Sequence, residues 1–320
     1  MPEARYTAFM QTHDTEWQRH LIALGYAEAQ PLGVGMEGAV YRLGDGRVAK
    51  VWARRSIAEL ERLQHVYRDV LQHDLGFQTP EILEVAEERG MAVTIERELH
   101  GVPLARFATE ADTEVSAAVV RSVIIVIESF ARVTATDAMR RLAVLNEDRP
   151  LWEGSRRWGD ALAALIDRRV ARFGDLLRRS VERFDAKRER VQALLAALDT
   201  PALSLVHGDL VPANILVDGS LRPTAVLDFG FFSTTGDPAF EAAVTASIFN
   251  MYGPHARAIE GQLDAALMRH LGYSPATLAL YRAAYALTTS NAFDRDGKDG
   301  HFAWCAQMLE RPDITAALLS

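Results

Sequence analysis

The sequence is poor in cysteine and has no long, uninterrupted apolar run. Cys305 is the only cysteine among 320 residues, which excludes an internal disulfide and favours a reducing compartment such as the cytoplasm. The most apolar stretch, residues 115–130, is interrupted by Arg121 and is too short and too charged to span a bilayer. The first residues carry acidic side chains and no apolar core segment, so they do not resemble a secretory signal. We therefore expect a cytoplasmic protein without a membrane segment.

Positive charge is also scarce. The 35 Lys and Arg residues are outnumbered by 43 Asp and Glu, giving a formal net charge of −8. Nucleic-acid-binding domains usually carry a basic surface, so a nucleic-acid partner is not expected. Only three of the basic residues are lysine: Lys50, Lys187 and Lys298. A lysine retained in so arginine-rich a chain is a candidate for a position where arginine does not serve.

Hydrophobic periodicity predicts a β-rich beginning followed by a largely helical remainder. The Asp45-Gly46 pair favours a two-residue type I′ turn, which predicts a hairpin of strands 38–44 and 47–52. Apolar spacing predicts helices over 14–25 and 55–74, two strands on either side of 88–90, helical stretches over 104–199 and from 238 onward, and short strands at 203–206, 215–217 and 225–228. We expect two domains, residues 1–99 and residues 100–320.

A glycine-rich segment lies in the β-rich part. Gly33, Gly35 and Gly38 fit the spacing G-x-G-x-x-G. Dinucleotide-binding folds share this spacing, but there the loop leads into a helix, whereas here a strand and a hairpin turn follow. A glycine loop between two strands can fold over phosphate groups, because its backbone N–H groups can approach the oxygens. An ordinary glycine-rich hairpin turn is the alternative.

Lys50 favours the phosphate interpretation. It lies in the apolar run Val-Ala-Lys-Val-Trp, where an ammonium group must be paired or must hold an anionic ligand. A carboxylate on the following helix is the expected partner, and both Glu59 and Glu61 qualify. Glu59 is preferred because it continues the apolar face of that helix.

Polar side chains are also found among apolar residues in the segment "HGDLVPANILVDG", residues 207–219. Asp209 precedes a short strand, Asn214 follows Asp209 by five residues, and Asp228 lies at the end of another apolar strand in "LDFG". Asp228 and Asn214 have oxygen ligands suited to Mg²⁺, which takes one or two protein ligands together with phosphate oxygens and water. Asp209 would orient an acceptor hydroxyl and take its proton. Taken singly, Asp228 and Asn214 could instead cap a turn or a strand end.

The acceptor is expected to be a small molecule. Only five residues separate Gly230 from Gly236, which leaves no room for the long activation loop with which protein kinases bind polypeptides. Asp237 and Pro238 suit the N-cap and first position of a helix. Residues 201–320 contain 12 acidic and 7 basic residues, a difference of −5, which favours a cationic acceptor with residues 291–300 as a contact. The acids spare for that task are Glu241, Asp264, Asp294, Asp296 and Asp299.

Together, the glycine segment, Lys50, "HGDLVPANILVD", "LDFG" and "GDPAFE" make the chain resemble the aminoglycoside phosphotransferases, relatives of choline and homoserine kinases, over about residues 30–250. The resemblance implies an α+β, bilobal protein-kinase-like fold with a small β-rich N-lobe, a larger helical C-lobe, and ATP or GTP with Mg²⁺ between them. It assigns Asp209 as catalytic base, Asn214 and Asp228 as metal ligands, and Lys50 as a phosphate contact. Arg97 and Leu99 would lie at the hinge and offer backbone groups to the base, and His207 would be structural.

The activity implied is transfer of a terminal phosphate to a hydroxyl of an aminoglycoside-type antibiotic. A metabolic kinase acting on a choline-like, homoserine-like or sugar acceptor is the alternative. An inactive nucleotide-binding module is disfavoured, because every residue that the chemistry requires is present.

Overall fold

A computed structural model describes residues 16–35, 37–199 and 202–319. These residues form two compact units: unit 1 comprises residues 16–74 and 78–100, and unit 2 comprises residues 75–77 and 101–319. The N-terminal unit contains a β-sheet and the C-terminal unit is mainly helical, which confirms the predicted fold class. No helix among the described residues is long and apolar enough to cross a bilayer.

Unit 1 is built on a five-stranded antiparallel sheet in the order β1-β2-β3-β5-β4. Helical residues 16–23 (α1) precede the sheet, and the second helix follows β3. The elements are β1 (Gln30–Gly35), β2 (Gly38–Arg42), β3 (Arg47–Trp52), α2 (Ile57–Val70), β4 (Ile82–Glu88) and β5 (Met91–Arg97).

The core of unit 1 follows the alternation of the strands. Because successive side chains of a strand point to opposite faces, Tyr41 of β2, Ala49 and Val51 of β3, and Val93 and Ile95 of β5 reach one buried cluster. Trp17 and Leu21 of α1 complete the cluster. Helix α2 buries Leu60, Leu63, Val66 and Val70, the apolar face that the sequence predicted.

The hairpin of β2 and β3 is confirmed, but its predicted turn type is wrong. A type I′ turn needs positive φ at both central residues. Here the positive φ values fall on Gly44 (95°) and Gly46 (76°), and the Leu43 N–H donates to the Arg47 carbonyl at 2.9 Å, closing a three-residue loop. The two-residue turn with positive φ at both positions connects β4 and β5 instead, at Arg89 (54°) and Gly90 (75°).

Unit 2 is a helical assembly containing two small sheets. One sheet has the order β6-β8-β9 and the other pairs β7 with β10. The strands are β6 (Val102–Pro103), β7 (Ser204–Val206), β8 (Ile215–Val217), β9 (Pro223–Val226) and β10 (Thr234–Gly236). Short 3₁₀ turns occur at Leu104–Arg106 and Pro212–Asn214.

The helices of unit 2 surround α9, whose residues from Leu278 to Thr289 are all buried. The helices are α3 (Ala117–Ala131), α4 (Asp137–Arg140), α5 (Trp158–Ser180), α6 (Phe184–Ala197), α7 (Pro238–Ile248), α8 (Ala256–Leu271), α9 (Pro275–Thr289), α10 (Gly300–Glu310) and α11 (Pro312–Leu319). Asp237, Ser274 and Asp299 cap α7, α9 and α10 through side-chain oxygens. Asp237 therefore has the capping role expected from the sequence.

Candidate active site

Three of the predicted site residues are brought together at one end of the β8–β9 hairpin. Ile215 pairs with Val226, and the next backbone bond runs from the Leu227 N–H to the Asn214 carbonyl at 2.8 Å. Asn214 and Asp228 therefore leave the hairpin at the same end. The Asn214 side-chain N–H donates to the Asp209 carbonyl at 2.9 Å, which ties the loop carrying Asp209 to the same place.

The three side chains differ in their exposure. Asn214 is buried, Asp209 is half-buried and Asp228 is exposed. Asp228 also has a φ of 52°, in the left-handed region that Asp adopts more readily than most non-glycine residues but that is still uncommon. Strained backbone of this kind clusters at functional sites, and here it lies two residues beyond the end of β9.

His207 supports this loop as a buried, neutral imidazole. Its Nε2–H donates to the Leu227 carbonyl at 2.7 Å, and its Nδ1 accepts the Asp209 N–H at 3.2 Å. The ring lies 4.5 Å from the ring of Phe229, centroid to centroid. Burial lowers the pKa of His207 to about 4, so the ring remains neutral at neutral pH and keeps both bonds. This matches the structural role expected for His207.

Glu241 of α7 is a buried acid whose place sequence reasoning misjudged. We counted it as a spare acid, but it is 1% exposed, and one carboxylate oxygen accepts the backbone N–H groups of His207 at 2.5 Å and Gly208 at 2.9 Å. The other oxygen accepts from the Thr245 hydroxyl at 2.9 Å. Burial raises the pKa of Glu241 to about 7. A single acid within the apolar helix PAFEAAVTASI was the signal that could have revealed it.

Asp264 is a second acid misjudged as spare. It binds the Arg282 guanidinium at 2.5 Å, and Arg282 is itself buried. Two of the five acids on which the argument for a cationic acceptor rested therefore form hydrogen bonds or an ion pair within unit 2.

In unit 1, the glycines of the predicted phosphate loop fall into two kinds. Gly38 is buried at the start of β2, and a Cβ there would lie 1.9 Å from the Val51 carbonyl oxygen. Its lack of a side chain thus serves the pairing of β2 with β3. Gly33 and Gly35 are exposed in β1, and no atom of the described residues lies within 4 Å of an added Cβ. Nothing in the described part of the chain requires glycine at those two positions, so a ligand that approaches the backbone closely would explain them.

Lys50 lies on β3 with its side chain 13% exposed. Its ammonium nitrogen is 4.0 Å from the centre of the Trp52 ring, a cation–π contact. The Trp52 indole N–H donates to the Thr94 hydroxyl at 2.9 Å, and that hydroxyl donates to Glu96 at 2.5 Å. The lysine is thus held against an ordered aromatic face within the sheet.

The structure differs from the expectation for Glu59 as the partner of Lys50. Ser56 caps α2 and draws the Glu59 carboxylate back onto its own backbone N–H and hydroxyl, both at 2.7 Å. This reciprocal capping box satisfies the start of the helix. Glu61, the other candidate, is exposed. A carboxylate 3.8 Å from Lys50 comes instead from Glu37, between β1 and β2, and it also accepts from Arg55 at 2.8 Å.

The predicted hinge residues lie at the C-terminal end of unit 1. Arg97 is the last residue of β5, and its N–H donates to the Glu81 carbonyl at 3.1 Å, so that N–H group is already used. Leu99 follows the strand in irregular, half-buried chain. Its backbone lies outside the sheet ladder, which is the placement needed if it is to bind a nucleotide base.

The oxygen ligands available to a cation are few. Among the described residues, no group of three or more His, Cys, Asp or Glu side chains is arranged to hold a metal. A magnesium–nucleotide complex needs only one or two protein ligands, because phosphate and water oxygens supply the rest. The Asn214 amide nitrogen donates to the Asp209 carbonyl, which leaves the amide oxygen available for another contact.

Comparisons with known proteins agree with these motifs. A family model described as the phosphotransferase enzyme family matches residues 28–281, which confirms the resemblance found in the sequence. A search of curated protein sequences gives no significant match.

Solved structures share the fold at low sequence identity. The aminoglycoside phosphotransferase APH(3'')-Id from Streptomyces rimosus, with ADP and streptomycin, has a TM-score of 0.52 and 18% identity, covering 86% of this chain and 98% of its own. The GDP complex of an aminoglycoside 2'-phosphotransferase-IIIa has a TM-score of 0.56 and 13% identity, covering 99% of each chain. The macrolide 2'-phosphotransferase MphH from Brachybacterium faecium has a TM-score of 0.51 and 22% identity, covering 93% of this chain and 99% of its own.

Proposed function

Because the chain belongs to the phosphotransferase enzyme family, we propose that it transfers the terminal phosphoryl group of ATP or GTP to a hydroxyl of an antibiotic-type small molecule. The observation that carries this proposal is the juxtaposition of Asp209, Asn214 and Asp228 by two hydrogen bonds, 2.8 and 2.9 Å long, at the end of one hairpin. This set offers a base and two oxygen ligands, which are the groups that phosphoryl transfer needs.

Asp209 acts on the acceptor. Its carboxylate accepts the hydroxyl proton while the acceptor oxygen forms a bond to the terminal phosphorus. The bond between that phosphorus and the bridging oxygen breaks, and the nucleoside diphosphate leaves with the bond's electron pair. His207 and Glu241 hold the loop that aims the carboxylate, through the bonds to the Asp209 N–H and to the His207 and Gly208 N–H groups.

The Asn214 and Asp228 side chains fit a magnesium ion, since both present oxygen atoms at the same hairpin end. Asn214 and Asp228 would hold the ion, and the chemistry that it would supply is positive charge to offset the phosphate oxygens of the nucleotide. Both ligands come from segments fixed by the β8–β9 pairing, so their spacing is set before a nucleotide binds.

Unit 1 supplies the groups that bind the nucleotide. Gly33 and Gly35 leave the β1 backbone open to the phosphates, and Lys50 provides a compact charge to their oxygens. Leu99 offers backbone groups to the base. The Glu37 carboxylate, which lies 3.8 Å from the Lys50 ammonium group, would be displaced from Lys50 by the phosphates.

Two acceptor classes are compared. Aminoglycoside-type antibiotics follow from the resemblance and from the aminoglycosides named with the similar structures. A macrolide-type antibiotic is the second candidate, because the surface beside the catalytic loop carries exposed aromatic rings, including Phe293.

The test is nucleotide consumption by the purified protein with ATP or GTP and Mg²⁺, across a panel of aminoglycosides, macrolides and hydroxylated metabolites. Asp209→Asn should lower kcat by about 10²- to 10⁴-fold with nucleotide affinity nearly unchanged. Asp228→Asn should lose turnover and Mg²⁺-dependent nucleotide affinity together. Turnover on metabolites alone would identify a metabolic kinase, and nucleotide binding without turnover on any acceptor would contradict the proposal. Loss of nucleotide binding in Asp209→Asn but not in Asp228→Asn would reverse the two roles.

A further inference from the structure

Three aromatic residues of unit 2, Phe231, Tyr252 and Phe293, form what we call the aromatic surface. The Phe231 and Phe293 rings are stacked, with centroids 5.5 Å apart and planes 6° from parallel. Phe293 is 51% exposed and Tyr252 is 55% exposed. Both flank the start of α10: Phe293 contacts His301, and Tyr252 lies against Gly300. Large aromatic side chains usually bury 150–250 Å² each, so such exposure beside a catalytic loop calls for an explanation.

The aromatic surface lies next to the segment that carries Asp209. Phe231 follows Asp228, Phe229 and Gly230, and the next residue, Phe232, lies so close to Gly208 that a Cβ there would be 2.5 Å from the Phe232 Cβ. Behind the surface, Tyr285 packs against Phe232 and His301. Burial, followed by the negative charge of Asp209, raises the pKa of Tyr285.

The backbone of Phe231 is held by a strained loop. The Leu145 N–H donates to the Phe231 carbonyl at 2.9 Å, and Leu145 and Asn146 both have a φ of 55°. Two consecutive non-glycine residues in the left-handed region are uncommon and cost energy. Glu147 anchors this loop on α5 through Arg168 at 3.0 Å and Arg172 at 3.3 Å. Phe231 is thus fixed on one side by this loop and on the other by Phe293.

The charges around the aromatic surface nearly balance. Residues 291–300 contain three acidic and two basic residues. Asp296 pairs with Lys298 at 3.0 Å, the Asp294 carboxylate accepts the Asp296 N–H at 2.7 Å, and Asp299 caps α10. Because residues 291–300 carry a formal charge of only −1, this loop offers a polyamine little net attraction, whereas the Phe293 ring is half exposed.

Resting on the proposed function, we propose that the aromatic surface binds the acceptor, and that the acceptor is a large hydroxylated molecule with a broad apolar face rather than a polyamine sugar. The apolar face of the acceptor stacks on Phe231 and Phe293. Tyr252, which also flanks the start of α10, contacts the same face. This contact brings one of its hydroxyls to Asp209.

The test compares a macrolide and an aminoglycoside as acceptors for the wild type, Phe293→Ala, Phe293→Leu and the control Phe107→Ala. Phe107 is 43% exposed and has no place in the aromatic surface. Removing a ring that the acceptor covers should raise the KM for the macrolide by about 10- to 100-fold and leave the KM for nucleotide unchanged. The macrolide KM of Phe293→Leu should lie between those of the wild type and Phe293→Ala, because leucine keeps part of the apolar area. The macrolide KM of Phe107→Ala should match that of the wild type.

Calorimetric binding of the macrolide to the same variants separates this inference from the proposed function. Macrolide binding that Phe293→Ala weakens supports the aromatic surface even if no phosphate is transferred. Efficient turnover of aminoglycosides alone, with KM values that Phe293→Ala does not change, would overturn the inference and leave the proposed function standing. Absence of both binding and turnover with the macrolide would also overturn it.

Discussion

At the scale of single residues, Lys50 shows how a fold can demand one of two similar side chains. Its side chain lies across the Trp52 ring with 13% exposure, so a longer, planar guanidinium would not place its charge at the same point. We expect Lys50→Arg and Lys50→Ala each to reduce phosphate transfer by at least about tenfold while the protein stays folded. Lys298→Arg is the matched control, because Lys298 is 75% exposed and pairs only with a neighbouring loop carboxylate among the described residues. Near-normal turnover of Lys50→Arg would show that another residue contacts the phosphates.

Two substitutions of Glu241 can separate the effect of its hydrogen bonds from the effect of its charge. Glu241→Gln keeps an oxygen for the His207 and Gly208 N–H groups, so it should keep most activity. Glu241→Ala leaves both N–H groups buried without an acceptor, at about 1–3 kcal/mol each, and should lose both stability and kcat. Denaturant unfolding and steady-state rates measure the two effects. Equal activity of the two variants would show that these bonds do not position the loop.

The raised pKa of Glu241 gives a pH dependence with a definite sign. Between pH 4.5, the ordinary value, and about 7, its value in the folded protein, the unfolded chain has lost the proton that the folded protein still holds. The free energy of unfolding should therefore fall as pH rises through this window, by up to about 3 kcal/mol relative to Glu241→Gln, and should level off above it. Unfolding curves of both proteins from pH 4 to 8 would measure the difference. A wild-type free energy of unfolding that rose with pH relative to that of Glu241→Gln would contradict this account.

At the scale of elements, the β1–β2–β3 region contains glycines that serve different purposes. Gly38→Ala would force a Cβ to within 1.9 Å of the Val51 carbonyl oxygen, so β2 and β3 must separate, and we expect a loss of more than about 2 kcal/mol of stability. A Cβ at Gly33→Ala meets no atom of residues 16–35, 37–199 and 202–319 within 4 Å. This substitution should change stability by less than about 1 kcal/mol, yet lower nucleotide affinity. Urea unfolding and nucleotide titration of both variants measure this contrast. Equal stability of the two variants would contradict the assignment.

The elements themselves followed from local pattern. Apolar alternation and 3.6-residue spacing predicted the β2–β3 and β4–β5 hairpins, the apolar face of α2 and the short strands of unit 2, because each pattern reflects which side of one element is buried. The type of the turn at Asp45-Gly46 was predicted wrongly, because the register of β2 and β3, and not the residue pair, sets the loop length. Arg89-Gly90 adopts the two-residue turn although arginine rarely accepts positive φ.

Parts of the candidate site could be predicted where the residues lie close together in the sequence. Parts that depend on contacts between distant segments could not. The intervals joining Asp209, Asn214 and Asp228 span one hairpin, so the sequence could place them together. Glu59 was preferred as a partner for Lys50 on helix periodicity, but Ser56 three residues earlier competes for its carboxylate, and Glu37 is brought to Lys50 by the fold of β1 and β2. Glu241 was missed because its partners lie 33 and 34 residues away.

At the scale of the whole molecule, the phosphate contact proposed for Lys50 and the metal ligand proposed for Asp228 can be tested together on the intact chain. A ligand that binds only the folded protein stabilises it by RT ln(1 + [L]/Kd), about 2.7 kcal/mol at 100 times Kd. ATP or GTP with Mg²⁺ should therefore raise the Tm, and a chelator should remove most of the rise. Lys50→Ala in unit 1 and Asp228→Asn in unit 2 should each reduce the rise, whereas Asp209→Asn should retain it, because that side chain is assigned to the acceptor. Scanning fluorimetry with and without Mg²⁺ measures all four proteins. If Asp228→Asn kept the full Mg²⁺-dependent rise, Asp228 would not be a metal ligand, and if Lys50→Ala kept it, the phosphates would lie elsewhere than on β3.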